Sequence, residues 1–250
     1  MINQWYRVVI LALVVFVMAS CSKDEEPADV TLQFNHFFKE TDFRADTVTV
    51  YTLDNGEELH YQRLEYYVTN IQLKAEDGSW WSEENSYHII NASEHNPSIV
   101  LADLPYGTYT ELRYMMGVDS VRNFSGAQDG ALSPSRGLFW SWNTGYIFLA
   151  AEGRCSSCPE NNPFFIHHIG GFRSPYEANH VITHELPSNL VLDDGSNASI
   201  DLRVNVNEIH EGEAIQINFA ETQAIHASSE TTKLMSENYA KMITVTGVTN

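Results

Sequence analysis

The chain carries ten histidines: His36, His60, His88, His95, His167, His168, His180, His184, His210 and His226. Neutral imidazole is a good ligand for copper, zinc or nickel, so these are the first residues to weigh. Spacing alone assembles none of them. His167 and His168 are adjacent, so on a strand only one can face a given site. His167 then shares the face of Phe165, and His168 that of Phe164 and Ile166. His36 lies on the apolar face of Leu32 and Phe34, where a histidine is more often a hydrogen-bonded core residue than a ligand. His180 and His184 share a face and read as part of a solvated sheet surface. His226, in Ala224-Ile-His-Ala-Ser228, stands at a chain corner just before a helix.

Beside the imidazoles stands an indole pair. Trp140 and Trp142 are two apart in Gly137-Leu-Phe-Trp-Ser-Trp-Asn-Thr-Gly145, so on an extended strand they point to one face. They form either the middle of a core or the wall of a site. Cys155-Ser-Ser-Cys158 holds the only cysteines besides Cys21. In an exported chain that pair is most simply a disulfide pinning the end of a hairpin. The sequence has no G-x-G-x-x-G, phosphate loop, H-E-x-x-H or G-x-S-x-G, and Asp193-Asp-Gly-Ser-Asn197 lacks the spacing of a calcium loop.

Export is read from the N-terminus. Arg7 precedes an unbroken apolar run over 8–18, which is too short to span a bilayer as a helix. Ala19-Ser20-Cys21 follows, the order of a bacterial lipoprotein signal with Cys21 lipidated, although Met18 stands where leucine is usual. Residues 1–20 are read as the signal and 21–29, with Ser22-Lys-Asp-Glu-Glu26, as a flexible acidic tether. The expected location is the outer membrane, with display on the cell surface. A net charge of −19 argues against nucleic acid or anionic lipid as a partner, so the only membrane contact expected is the lipid anchor.

What must position these groups is a set of short strands. Alternation or apolar runs predict strands over 30–38, 47–51, 64–73, 87–91, 98–101, 104–117, 146–149, 164–172, 180–184, 198–206 and 214–219. A long loop spans 119–135 and delivers the chain to Trp140. Only 231–243 reads as a helix. The expectation is an all-β chain: one antiparallel β-sandwich over 30–250, Greek-key or immunoglobulin-like, with one short C-terminal helix.

With these residues assembled, the chain resembles the MbnP-like copper-binding proteins, a family named for a periplasmic partner in methanobactin gene clusters. The resemblance rests on 64–73 (L-x-Y-Y-x-x-N-I-x-L), on 117–132 (Gly-Val-Asp-Ser-Val-Arg-Asn-Phe-Ser-Gly onward), on Phe139-Trp-Ser-Trp-Asn-Thr-Gly-Tyr-Ile-Phe148 and on Phe165-Ile-His-His-Ile-Gly170. Ile225-His226 and the segment 234–242 add to it. The resemblance implies an exported β-sandwich that binds copper, as Cu(I) or Cu(II), without turnover. It implies His36, His168 and His226 as ligands, and Trp140 or Trp142 as a tryptophan oxidised to kynurenine by a di-haem peroxidase-like partner. Asp119, Arg122, Asn123 and Tyr146 are then residues that order the loop or orient the ligands. The Cys155–Cys158 loop looks like an addition to the family pattern. Two other classes remain open: a surface module whose tryptophans stack on glycan or peptide, and a redox enzyme using the copper.

Overall fold

From Ala28 to Phe38 the chain alternates buried and half-buried without a break, and this strand is the spine of one sheet. The computed structural model describes residues 28–126, 128–141 and 144–250. The signal at 1–20, Cys21, the tether up to Pro27 and Trp142 lie outside the described residues. In chain order the elements are β1 (Ala28–Phe38), β2 (Thr41–Asp42), β3 (Tyr51–Thr52), β4 (Glu58–Ala75), β5 (Trp80–Ser82), β6 (Tyr87–Asn91), β7 (Ser98–Leu104) and β8 (Gly107–Met116). They continue with α1 (Ser120–Phe124), β9 (Phe139–Ser141), β10 (Gly145–Tyr146), β11 (Leu149–Cys155), β12 (Phe164–Ile169), β13 (His180–Leu192) and β14 (Asn197–Asn205). The last are α2 (Glu208–Glu211), β15 (Ala224–Ile225), α3 (Glu230–Tyr239) and β16 (Ile243–Thr249).

The fold is the expected all-β sandwich. One sheet runs β16-β14-β1-β2, with β7 also on β1; the larger runs β13-β8-β4-β11-β12-β15, with β3, β5 and β6 also on β4. Most pairings are antiparallel, but β1–β14 and β12–β15 are parallel. Leu32, Phe34, Ile200 and Leu202 from one sheet, and Leu64, Tyr66, Leu149 and Phe165 from the other, belong to one buried core. A third layer lies on the outer face of the larger sheet. There the hairpin β9–β10 and the segment before it pack Leu132, Leu138 and Tyr146 toward Tyr67, with Tyr67 and Tyr146 edge to face at 5.9 Å.

Several local expectations are corrected. β1 opens at Ala28, so Ala28 and Asp29, assigned above to the tether, belong to the sheet. The expected strand 47–51 shrinks to β3. The expected strand 214–219 is irregular, because its backbone is satisfied elsewhere: Ala214 N–H donates to Asn238 Oδ1 and Ile217 N–H to the His210 carbonyl. The helix ends at Tyr239 rather than 243, and a final strand follows it. Met242 and Ile243 are buried although they lie past the helix, so their apolar character did not mark the boundary. Its start is well defined by a capping box in which Ser229 and Thr232 each accept the other's N–H.

Candidate metal centre

The outer face of the larger sheet carries a row of polar residues in otherwise apolar strands. A bulge between Tyr61 and Arg63 resets the alternation of β4, so Tyr61 and Leu64 both face inward while Arg63 and Glu65 face out. Gly153 sits opposite that bulge. A Cβ there would lie 2.1 Å from the His60 carbonyl oxygen, which is why the position is glycine. Arg63 is the cross-strand partner of Glu152, and Ile166 is the next partner across. His168, two residues on, shares that outer face and reaches Glu152 diagonally.

One guanidinium ties this row together. Arg63 Nη1 donates to Glu152 Oε1 at 2.9 Å, and Nε and Nη2 donate to Glu65 Oε2 at 2.9 and 2.7 Å. Its Nη2 also reaches the Gly137 carbonyl at 3.4 Å, at the start of the segment leading to Trp140. His168 Nε2 donates to Glu152 Oε1 at 2.9 Å. That bond first, and then Arg63, hold the Glu152 carboxyl below its ordinary range.

β15 completes the edge. Ile225 pairs with His167 and is buried, so His226 follows on the outer side, with its ring centroid 5.7 Å from that of His168. The benzo edge of Trp140 lies against Gly170, two residues beyond His168. A Cβ on Gly170 would meet Trp140 Cζ3 at 3.0 Å and the Tyr146 carbonyl oxygen at 2.5 Å. Ser228 Oγ donates to the Gly170 carbonyl, closing the corner around His226. The Trp140 indole nitrogen is buried and has no hydrogen-bond partner among the described residues. A buried N–H left unmade is unfavourable by about 1–3 kcal/mol, so this orphan is a feature to explain.

The MbnP family model matches residues 27–234. The chain belongs to the MbnP family. The fold of MbnP from Methylosinus trichosporium is similar, with a TM-score of 0.51 and 13% identity over 76% of this chain and 82% of that one. No curated protein matches it in sequence.

Of the residues that the MbnP resemblance singled out, the structure sets His168 beside His226 and packs the Trp140 ring against Gly170, two residues from His168. His36 is not with them. It faces the interior between the sheets, its Nε2 hydrogen-bonded to the Tyr66 hydroxyl at 2.9 Å, and burial pushes its pKa down to about 4. Tyr66 and Glu65 are neighbours on opposite faces of β4, so His36 and His168 lie on opposite sides of the sheet. Among the described residues no three His, Cys, Asp or Glu side chains converge to hold a metal.

Asp119, Arg122, Asn123 and Tyr146 lie within the loop. Asp119 Oδ1 caps α1 by accepting from Arg122 N–H, and its Oδ2 accepts from the Tyr87 hydroxyl at 2.6 Å. Arg122 reaches Gln128 Oε1 and packs over the Tyr87 ring. Buried Asn123 donates to the Val118 and Asp119 carbonyls and accepts from Tyr146 N–H, while the Tyr146 hydroxyl donates to the Leu132 carbonyl. Cys155 and Cys158 are bonded in the turn between β11 and β12, with Cα atoms 5.3 Å apart.

His180 and His184 are not on a solvated face. Both are half-buried, His180 on Ser236 Oγ and His184 on the Tyr114 hydroxyl, and burial lowers the pKa of each. Two groups escaped the sequence reading. Glu152 had one signal, a lone acid in Leu149-Ala-Ala-Glu-Gly153. The buried chain Tyr61–His210–His167 had none, since its members come from three distant segments. His167 Nε2 donates to the Thr222 carbonyl, so its Nδ1 accepts from His210 Nε2 at 3.0 Å and His210 Nδ1 accepts from the Tyr61 hydroxyl at 2.8 Å.

Proposed function

We propose that this MbnP-family protein captures copper outside the cell, holding it between His168 and His226 beside residue 140. The observation that carries this reading is a pair of outward-facing imidazoles, His168 and His226, near Gly170, against which the Trp140 ring packs, its buried N–H without a partner among the described residues. Imidazole suits copper by ligand type and by the affinity order of divalent metals. Family membership points to the same metal. Oxidation of Trp140 to kynurenine fits the orphaned nitrogen, because ring opening turns an inert N–H into an aniline nitrogen beside a ketone, both able to donate to metal. A di-haem peroxidase-like partner would handle the oxidant that supplies the oxygen, and the ring carbon lost would leave as formate. The protein itself carries out no turnover. Lipidation of Cys21 would hold it at the outer membrane, a reading supported by the signal-like residues before it.

Equilibrium dialysis against buffered copper tests the reading. His168→Ala and His226→Ala should each lose most of the bound metal, whereas His36→Gln should keep it. Wild-type uptake in both of the first two variants defeats the proposal. The intact mass of protein from its own host tests the modification, since kynurenine is heavier than tryptophan by about 4 Da.

A further inference from the structure

His168 has two nitrogens, and only the one without a proton can bind metal. The structure determines which that is. Nε2 lies 2.9 Å from Glu152 Oε1, a carboxylate oxygen that can only accept, so the proton sits on Nε2 and the lone pair on Nδ1. Glu152 is itself immobilised. Arg63 Nη1 donates to the same oxygen at 2.9 Å, and the remainder of the guanidinium is locked on Glu65 Oε2. The same arginine reaches the Gly137 carbonyl, three residues before Trp140, so one cation holds both the base of the indole-bearing hairpin and the acceptor of His168.

We infer that Glu152, held by Arg63, is a positioning residue that fixes His168 as the Nε2–H tautomer and so leaves the Nδ1 lone pair as the one that would bind metal. This rests on the copper reading above and deepens it. A carboxylate behind a ligand imidazole orients the ring and raises its basicity, and losing such a partner lowers metal affinity about 10–100-fold. Glu152 is suited to removal as a test, because Arg63 keeps two bonds to Glu65 and is not left as an unpaired charge.

The test reads the tautomer directly, without metal. In 15N-labelled protein at alkaline pH, two-bond 1H–15N correlations should show His168 as the Nε2–H form. Glu152→Leu should give a mixture with the Nδ1–H form and weaken copper binding about 10–100-fold. Glu152→Gln, whose carbonyl oxygen still accepts, should retain the tautomer and most of the affinity, and it serves if the leucine variant does not fold. An Nδ1–H form in the wild type, or an unchanged tautomer in Glu152→Leu, overturns the inference. Failure of the copper reading is separate: unchanged dialysis of His168→Ala defeats that reading whatever the tautomer.

Discussion

Gly170→Ala places one methyl group at the joint between sheet, hairpin and candidate ligands. The position is not left-handed, so its effect is steric alone. The new Cβ would stand 2.5 Å from the Tyr146 carbonyl oxygen and 3.0 and 3.2 Å from two atoms of the Trp140 ring, against an ordinary contact distance of 3.4 Å or more. The indole can tilt, but the carbonyl is backbone and must withdraw by about 0.9 Å to reach ordinary contact. The neighbouring strap holds it there, since Phe148 N–H donates to the Ile169 carbonyl at 2.7 Å. Overpacking of this kind is destabilising by about 1–3 kcal/mol, offset by roughly 0.4–1 kcal/mol from the stiffer unfolded chain. The net expectation is a loss of about 1–2 kcal/mol, together with weaker copper binding as the Trp140 ring is pushed off Gly170, near the candidate ligands. Urea unfolding and copper dialysis on the same preparation measure both. Gly195→Ala is the control, because Gly195 has φ +76° and nothing within 4 Å of a new Cβ. It should lose stability by about 1–2 kcal/mol through backbone strain and bind copper unchanged. Wild-type stability and copper affinity in Gly170→Ala would refute the packing argument.

Two further outcomes probe the interior. His210→Leu strands two buried partners, the Tyr61 hydroxyl and His167 Nδ1, at about 1–3 kcal/mol each. Adding Tyr61→Phe should recover part of that loss in urea unfolding, and a purely additive double variant would disprove the directional chain. His36 titrates near 6.5 when unfolded and at about 4 when folded. Between those values the unfolded chain binds more protons. The contribution is therefore complete above pH 6.5 and is lost as pH falls toward 4, by roughly 3 kcal/mol. Unfolding free energies at pH 7 and 4.5 should show a smaller acid loss in His36→Gln than in wild type; equal losses would mean that His36 is not buried as a neutral ring.

The sandwich was legible because alternation with period two survives in the amino-acid order. Leu32, Phe34 and His36 declared one face of β1, and His167 and His168 declared opposite faces of β12. Legibility failed where buried apolar residues lie just past the helix, as at Met242 and Ile243, and where side chains satisfied the backbone, as at Ala214 and Ile217. The row Arg63–Glu152–His168 stayed hidden because a bulge in β4 breaks the parity from which facing is read.

Sequence by itself determined the class of fold, that His167 and His168 take opposite faces of one strand, that His36 lies on an apolar face, and the stretches that mark the MbnP family. Tertiary structure alone decided that His168 and His226 lie side by side, with Trp140 packed on nearby Gly170, while His36 lies across the sheet with Tyr66. The reason is physical: periodicity is a local property of the chain, whereas a parallel pairing such as β12 with β15, and the register that sets two rings 5.7 Å apart, depends on segments that touch only after the chain has folded.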